Sequence, residues 1–149
     1  MVVKIANAQT VLIKIVDVMD LKNAFVSQMT HLVVAASKKM NSKDWDPNLT
    51  PEQNYVLRQE GTETPGSSPF NNEKREGSYH CIGCGTKLFD SSSKYESGSG
   101  WPSFFKSIPG VFEEKTDMNI GYPRTEYHCK KCGGHHGHIF NYGPKPTGK

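Results

Sequence analysis

The sequence has little that would place it in a membrane. Its longest uncharged run near the N-terminus, NAFVSQMTHLVVAAS at residues 23–37, is short and polar, whereas a spanning helix needs about 20 mostly apolar residues. It also lacks the apolar stretch and small-residue cleavage site of a secretory signal. We therefore expect a protein without a membrane partner in a reducing compartment, the cytoplasm by default.

A basic surplus is missing from most of the chain. The formal net charge of the 149 residues is +3, and residues 1–39 alone carry five lysines against two aspartates. The remainder is therefore neutral and offers no general attraction to a phosphate backbone. This predicts that nucleic acid is not a partner.

Arginine, glycine, proline and cysteine are absent from residues 1–39. Within this segment, TVLIKIVDVMDL is rich in β-branched residues, which allows a strand, a targeting peptide or an extension upstream of a start at Met40. A transit peptide normally carries arginines, so a mitochondrial location is the alternative only. We predict an N-terminal extension over residues 1–39, followed by one domain over residues 40–149.

The domain has one helical signal and several short strand signals. In TPEQNYVLRQEG, Thr50 is the expected N-cap, Pro51 takes the first helical position, Gln53 completes a capping box and Gly61 ends the helix. Short apolar and β-branched pieces separated by Gly- and Pro-rich turns follow, at 78–82, 87–89, 123–129 and 137–140. These signals predict a mainly β fold with helix near the N-terminus, and with few aliphatic residues after residue 40 the core should be built around aromatic rings.

All four cysteines of the chain fall in two matched motifs, HCIGCG and HCKKCG. A two-residue spacer lets both sulfurs of a tight turn face one point, and the following glycine permits a positive φ. Two such turns would form a closed tetrahedral site for one structural zinc ion, with these ligands: Cys81, Cys84, Cys129 and Cys132. A redox Cys-x-x-Cys pair and the disulfides of a secreted domain are the alternatives.

An aromatic loop and a histidine cluster are the other chemical features. Pro102 restricts Trp101 in YESGSGWPSFF to an extended conformation, which suits either an indole held at a binding site or a core residue in a turn. His135 and His138 in CGGHHGHIF suit either proton transfer or a structural role. The spacing of these residues leaves both questions open.

Three stretches together resemble the methionine-R-sulfoxide reductase family of the B type. They are LTPEQNYVLRQEGTE, YHCIGCGTKLFDSSSKYESGSGWPSF and RTEYHCKKCGGHHGHIFNYGPKPTGK, and the resemblance covers about residues 46–149. It implies two antiparallel sheets clamped by the four-cysteine zinc site. It also implies thiol-dependent reduction of methionine-R-sulfoxide in proteins, a repair of oxidative damage.

The resemblance also implies roles for particular residues. Trp101 would form the wall of a slot for the substrate methyl group, and Phe140 would pack there. His135 and His138 would lie near the nucleophile and the substrate oxygen and act in catalysis. The implied partners are oxidised proteins that carry methionine-R-sulfoxide, and thioredoxin or another thiol reductant; the protein itself would be a monomer.

The sequence departs from the family pattern at several positions. The family's nucleophilic cysteine lies in an Arg-x-Cys-x-Asn element directly after the part matched by GPKPTGK, so it is absent from the 149 residues. Ser99 stands where many members have a resolving cysteine, and Asn141-Tyr142 replaces a usually acidic pair. His136 replaces an aliphatic residue. We therefore predict that the chain as given is inactive, and that the strand next to the absent element is left as an exposed edge.

Two other functions are compatible with the same motifs. One is a non-catalytic zinc-binding β domain that binds a peptide or small ligand through its aromatic loop. The other is a zinc ribbon that binds nucleic acid, against which the neutral charge of residues 40–149 counts.

Overall fold

The computed structural model describes residues 48–148, together with the backbone of two N-terminal strands at 2–5 and 11–15. The predicted boundary between residues 39 and 40 lies outside the described residues, as does most of the predicted extension. Of the alternatives for the TVLIKI segment, a strand is found at Val11–Ile15. No helix among the described residues is long and apolar enough to cross a membrane.

The helix α1, Pro51–Gln59, follows the capping pattern of its sequence. The Thr50 hydroxyl accepts the N–H of Gln53 at 3.2 Å, and the Gln53 side chain accepts the N–H of Thr50 at 2.8 Å. The helix ends at Gln59, just before the Gly61 predicted to stop it, and the left-handed residue between them is Glu60, with φ 56°. A Cβ at Gly61 would lie 2.2 Å from the ring of the half-exposed Tyr55, so a side chain there would have to displace that ring.

The described strands form two antiparallel sheets, as predicted. A three-stranded sheet has the order β2-β3-β4, and a six-stranded sheet has the order β5-β6-β1-β9-β8-β7. The strands are β1 Val2–Ile5, β2 Val11–Ile15, β3 Gly77–Cys81, β4 Lys87–Asp90, β5 Lys94–Tyr95, β6 Ser103–Phe104, β7 Phe112–Asp117, β8 Arg124–Cys129 and β9 His135–Phe140.

The four strand signals of the sequence correspond to β3, β4, β8 and β9. The two-residue strands β5 and β6 were not predicted, and neither was β7. Its sequence, FEEKTD, leaves Glu113–Thr116 exposed and buries only Asp117 fully, so it lacks the apolar alternation from which strands are predicted. β9 pairs with β8 on one side and with β1 on the other, and the exposed edge next to the absent element stays a prediction.

The core is built around aromatic rings, as predicted. Phe104 is fully buried, with its ring centroid 4.7 Å from that of Tyr79 and 4.4 Å from that of Phe89. The ring of Phe112 lies 4.6 Å from that of Tyr127. These rings come from both sheets, so ring contacts between β3, β4, β6, β7 and β8 hold the two sheets together.

Candidate active site and metal centre

Two similar turns bring the four cysteines together. One joins β3 to β4 and the other joins β8 to β9, and they carry Cys81, Cys84, Cys129 and Cys132. In each turn the glycine after the second cysteine donates its N–H to the carbonyl of the first cysteine at 2.7 Å. These glycines, Gly85 and Gly133, have φ of 71° and 76°, which confirms that both turns need a left-handed residue.

The spacing of the sulfurs fits a tetrahedral metal ion. The Sγ atoms of Cys81 and Cys132 are 3.7 Å apart, and those of Cys84 and Cys129 are 3.6 Å apart. Zinc–thiolate bonds of about 2.3 Å at tetrahedral angles place sulfurs about 3.8 Å apart, whereas a disulfide would require about 2.05 Å. The four cysteines, all within the described residues, can therefore hold a metal ion.

Crowding of the sulfurs also perturbs their protonation. The hydrogen bond with Cys132 is the main cause that lowers the pKa of Cys129 to about 7, while the contact with Cys129 raises the pKa of Cys81. Four thiols this close cannot all ionise without a cation between them, because like charges disfavour one another. A divalent metal ion would supply that charge.

His136 lies against this cluster. Its Nε2 is 3.3 Å from the Cys81 sulfur, and its ring stacks 6.4 Å from that of Tyr127. The ring is fully buried, and this burial is the main cause that lowers its pKa to about 3. A neutral imidazole that donates Nε2–H to a thiolate stabilises the charged sulfur. His136, which departs from the family pattern, therefore has a structural role beside the cysteines.

A bulge in β9 decides how its histidines are directed. Tyr127 pairs with Gly137 and His128 pairs with His135, so His136 is the extra residue. Gly137 has φ 135°, a conformation that favours glycine. In a regular strand, residues three apart face opposite sides, but here the rings of His135 and His138 meet with centroids 5.6 Å apart. The two predicted catalytic histidines therefore share one face, and His136 faces the cysteines.

Asp117, at the end of β7, holds His138. Its Oδ2 lies 2.9 Å from Nε2 of His138 and also accepts a hydrogen bond from Arg124, while Oδ1 accepts the backbone N–H of Asn119 at 2.8 Å. The hydrogen bond from Asn119 is the largest cause that lowers the pKa of Asp117, followed by that from His138. The carboxylate is therefore ionised at neutral pH, and Nε2 of His138 carries the proton that it donates.

Glu126 is a second buried carboxylate on the same face. It lies on β8 with 2% of its surface exposed, 3.2 Å from Nε2 of His128 and 3.6 Å from Nδ1 of His135. Burial raises its pKa, but the hydrogen bonds from Lys115 and His128 outweigh this effect and lower it. Neither Asp117 nor Glu126 was predicted from the sequence as a site residue. The spacing of Glu126 and His128 does indicate a shared face, because residues two apart on a strand point to the same side.

Trp101 and Phe140 lie near the ends of the elements that carry this site. The indole N–H of Trp101 donates to the carbonyl of Glu63 at 3.1 Å, and the side chain is partly buried. Phe140, at the end of β9, is also partly buried, and its ring lies 5.3 Å from that of Tyr142. The indole is therefore held by a backbone contact and is not part of the buried core.

Backbone register places the Trp101 loop near the histidines. Lys4 of β1 pairs with Ser103 of β6 on one side and with His138 of β9 on the other. Neighbouring strands are about 4.8 Å apart, so the backbones of Ser103 and His138 lie about 9.6 Å from each other. The loop that carries Trp101 and the histidine strand therefore lie two strands apart in one sheet.

These features define a mainly β domain, clamped by a four-cysteine cluster, with buried histidine–carboxylate pairs on one sheet. The family model of the SelR domain matches residues 49–149. The chain is 50% identical over 109 residues to the peptide methionine sulfoxide reductase MsrB of Leptospira interrogans, covering 72% of this chain and 83% of that protein. The chain belongs to the methionine-R-sulfoxide reductase B family.

Other relatives agree with this assignment. The peptide methionine sulfoxide reductase MsrB of Agrobacterium fabrum is 46% identical over 115 residues, which cover 75% of this chain and 85% of that protein. The methionine-R-sulfoxide reductase B2, mitochondrial, of Rattus norvegicus is 42% identical over 128 residues, covering 80% of this chain and 74% of that protein. The homologues support an oxidoreductase that reduces methionine sulfoxide.

Proposed function

We propose that this domain serves the thiol-dependent reduction of methionine-R-sulfoxide in proteins. The observation that carries the proposal is the pair of buried histidines on one face of β9, His135 and His138, with His138 held by the ionised Asp117. Membership of the family supports the reaction class, and the arrangement supplies groups that can hold and move a proton.

The reaction needs a thiolate, a proton donor and a second thiol. The thiolate attacks the sulfoxide sulfur, a proton is delivered to the oxygen, and the oxygen passes to the thiol as sulfenic acid while methionine is released. A second thiol condenses with the sulfenic acid to form a disulfide and water, so two thiols are oxidised for each sulfoxide reduced. Thioredoxin or another dithiol would supply these electrons.

Different residues of the site would have different roles in this reaction. Asp117 orients the His138 imidazole through Nε2, which leaves Nδ1 as the atom that can exchange a proton with substrate or water. Burial is the main cause that lowers the pKa of His135 to about 4, so its imidazole is neutral at pH 7. We propose Trp101 as the wall of the methyl slot and Phe140 as packing at the same site.

The metal cluster would have a structural role. Cys81, Cys84, Cys129 and Cys132 would hold one zinc ion, which as a closed tetrahedral site stabilises the fold and does not take part in the reaction. The β8–β9 turn, which precedes the catalytic histidines, would depend on it. If all four cysteines of the sequence hold the metal ion, none of them would be free to act as the nucleophilic thiol.

The test is epimer-resolved turnover of a methionine sulfoxide peptide with excess dithiothreitol. We expect no reduction by the chain as given, and reduction of the R epimer only when an Arg-Tyr-Cys-x-Asn tail is appended after Lys149. His138→Ala in the extended form should lower the rate by about 10²–10⁴-fold if the imidazole transfers protons. Equal activity of the short and extended forms would show that a cysteine of the cluster is the nucleophile and would refute the proposal.

A further inference from the structure

The contact of His128 with a backbone carbonyl shows which of its ring nitrogens carries a hydrogen. Its Nδ1 lies 3.2 Å from the carbonyl oxygen of Gly133, and because a carbonyl only accepts, Nδ1 carries the hydrogen. In the neutral ring, Nε2 then has a lone pair, and this atom lies 3.2 Å from Oε1 of the buried Glu126. A cation between the two atoms, either a proton on Nε2 or a metal ion, makes this contact favourable.

His135 presents a second ring nitrogen to the same carboxylate. It is fully buried, and neither of its ring nitrogens has a hydrogen-bond partner among the described residues. Its Nδ1 lies 3.6 Å from Oε2 of Glu126. A metal ion bound here would take one donor atom from each imidazole and one from the carboxylate.

The distances suit a divalent transition metal ion. Metal–nitrogen and metal–oxygen bonds of about 2.1 Å at tetrahedral angles place ligand atoms about 3.4 Å apart. The contacts of Glu126 have a similar length, with 3.2 Å from Oε1 to His128 and 3.6 Å from Oε2 to His135. One ligand atom from each of Glu126, His128 and His135 lies within 4.8 Å of the others. We propose that these three residues form a second metal site, separate from the cysteine cluster, for a divalent transition metal ion with one position left for water.

The chemistry of the donors supports this assignment. Two imidazoles and one carboxylate are ligands that zinc, cobalt and nickel accept. The donation from Nδ1 of His128 to the Gly133 carbonyl is the support that ligating histidines commonly receive from a backbone carbonyl. The cysteine cluster instead offers four thiolates, so the two sites can be distinguished by their spectra.

Lys115 is the competitor of the metal ion. Its ammonium lies 3.1 Å from Oε1 of Glu126 and 3.0 Å from Oε1 of Glu60, and 60% of its side chain is exposed. It can therefore leave Glu126 and keep its contact with Glu60 when an ion enters. Removing its charge should strengthen metal binding, and the substitution is on the surface.

His80 provides a matched control. Like His128, it precedes the first cysteine of a turn, and its Nδ1 lies 2.9 Å from the carbonyl of Gly85. Its Nε2, however, lies 2.8 Å from the hydroxyl of Ser78, a group that donates to the lone pair. His80 thus has the same position in its turn as His128 but has no carboxylate to share with an ion.

The experiment is a titration of the zinc-loaded 149-residue protein with Co²⁺, followed by visible absorption and by counting both metals after desalting. We expect a second metal equivalent in the wild type and in His80→Gln, without sulfur-to-cobalt charge-transfer absorption and without loss of zinc. His128→Gln and Glu126→Gln should weaken cobalt binding by at least about 100-fold, and Lys115→Gln should tighten it.

Several results would overturn the proposal. These are a single metal equivalent in the wild type, cobalt uptake only as zinc is lost, unchanged affinity in His128→Gln, or weaker binding in Lys115→Gln. Since the proposed reaction uses His135, an ion bound there would compete with it. The titration measures binding without turnover, so its failure is distinct from failure of the proposed function.

Discussion

Leu57 of α1 packs against both cysteine turns. It is 2% exposed, and a Cβ added at Gly134 would lie 2.6 Å from its Cδ2 and 3.4 Å from the Cys132 sulfur. Gly134 does not have a positive φ, so alanine there is resisted by this contact and not by backbone strain. We predict that Gly134→Ala and Leu57→Ala each destabilise the protein, but that the two effects are not additive.

The expected magnitudes follow from the packing. Leu57→Ala removes a buried side chain and should lower the free energy of unfolding by about 2–5 kcal/mol. Gly134→Ala over-packs the same space and should cost about 1–3 kcal/mol. In the double variant the alanine methyl occupies part of the space left by the leucine, so the combined loss should be smaller than the sum by about 0.5–3 kcal/mol.

The assay is urea unfolding of the four proteins at one fixed zinc concentration, because bound metal contributes to apparent stability. Gly83→Ala is the matched control: a Cβ there would meet Leu57 Cδ1 at 3.6 Å and the nearest sulfurs at 3.8 Å, which are ordinary contacts. It should therefore change stability little. Additive losses in the double variant, or an equal loss in Gly83→Ala, would refute the packing argument.

Three further predictions concern the metal ion, the stability at low pH and the aromatic loop. Cys84→Ser should abolish binding of about one zinc per chain and largely unfold the domain, as measured by metal analysis and circular dichroism; a folded, metal-free variant would contradict the zinc assignment. Because the pKa of Asp117 is lowered in the folded protein, its contribution to stability is present above about pH 4 and is lost as the pH falls below that value. Asp117→Asn should therefore be less stable at pH 7 and lose less stability than wild type on acidification; parallel pH curves would oppose this. In the tail-extended protein, Trp101→Ala should reduce turnover far more than stability, and a loss of about 3–5 kcal/mol in denaturant unfolding would instead indicate a core residue.

The sequence by itself determined the local elements and the metal-binding turns. Thr50 and Gln53 form the expected capping box because its bonds join residues three apart. The two Cys-x-x-Cys-Gly turns close as expected because their hydrogen bonds are also local. Matched spacing was enough to predict that the four sulfurs could meet, since both turns are built for the same tetrahedral geometry.

Only the tertiary structure decided the direction of the histidines and their partners. The spacing of His135 and His138 predicts opposite faces in a regular strand, and the bulge at His136, set by pairing with β8, turns them to one face. Asp117 and Glu126 come from β7 and β8, and their burial depends on packing that charged strands do not reveal. Such contacts join residues distant in sequence and depend on strand register, which is set by the packing of the whole sheet and not by local propensity.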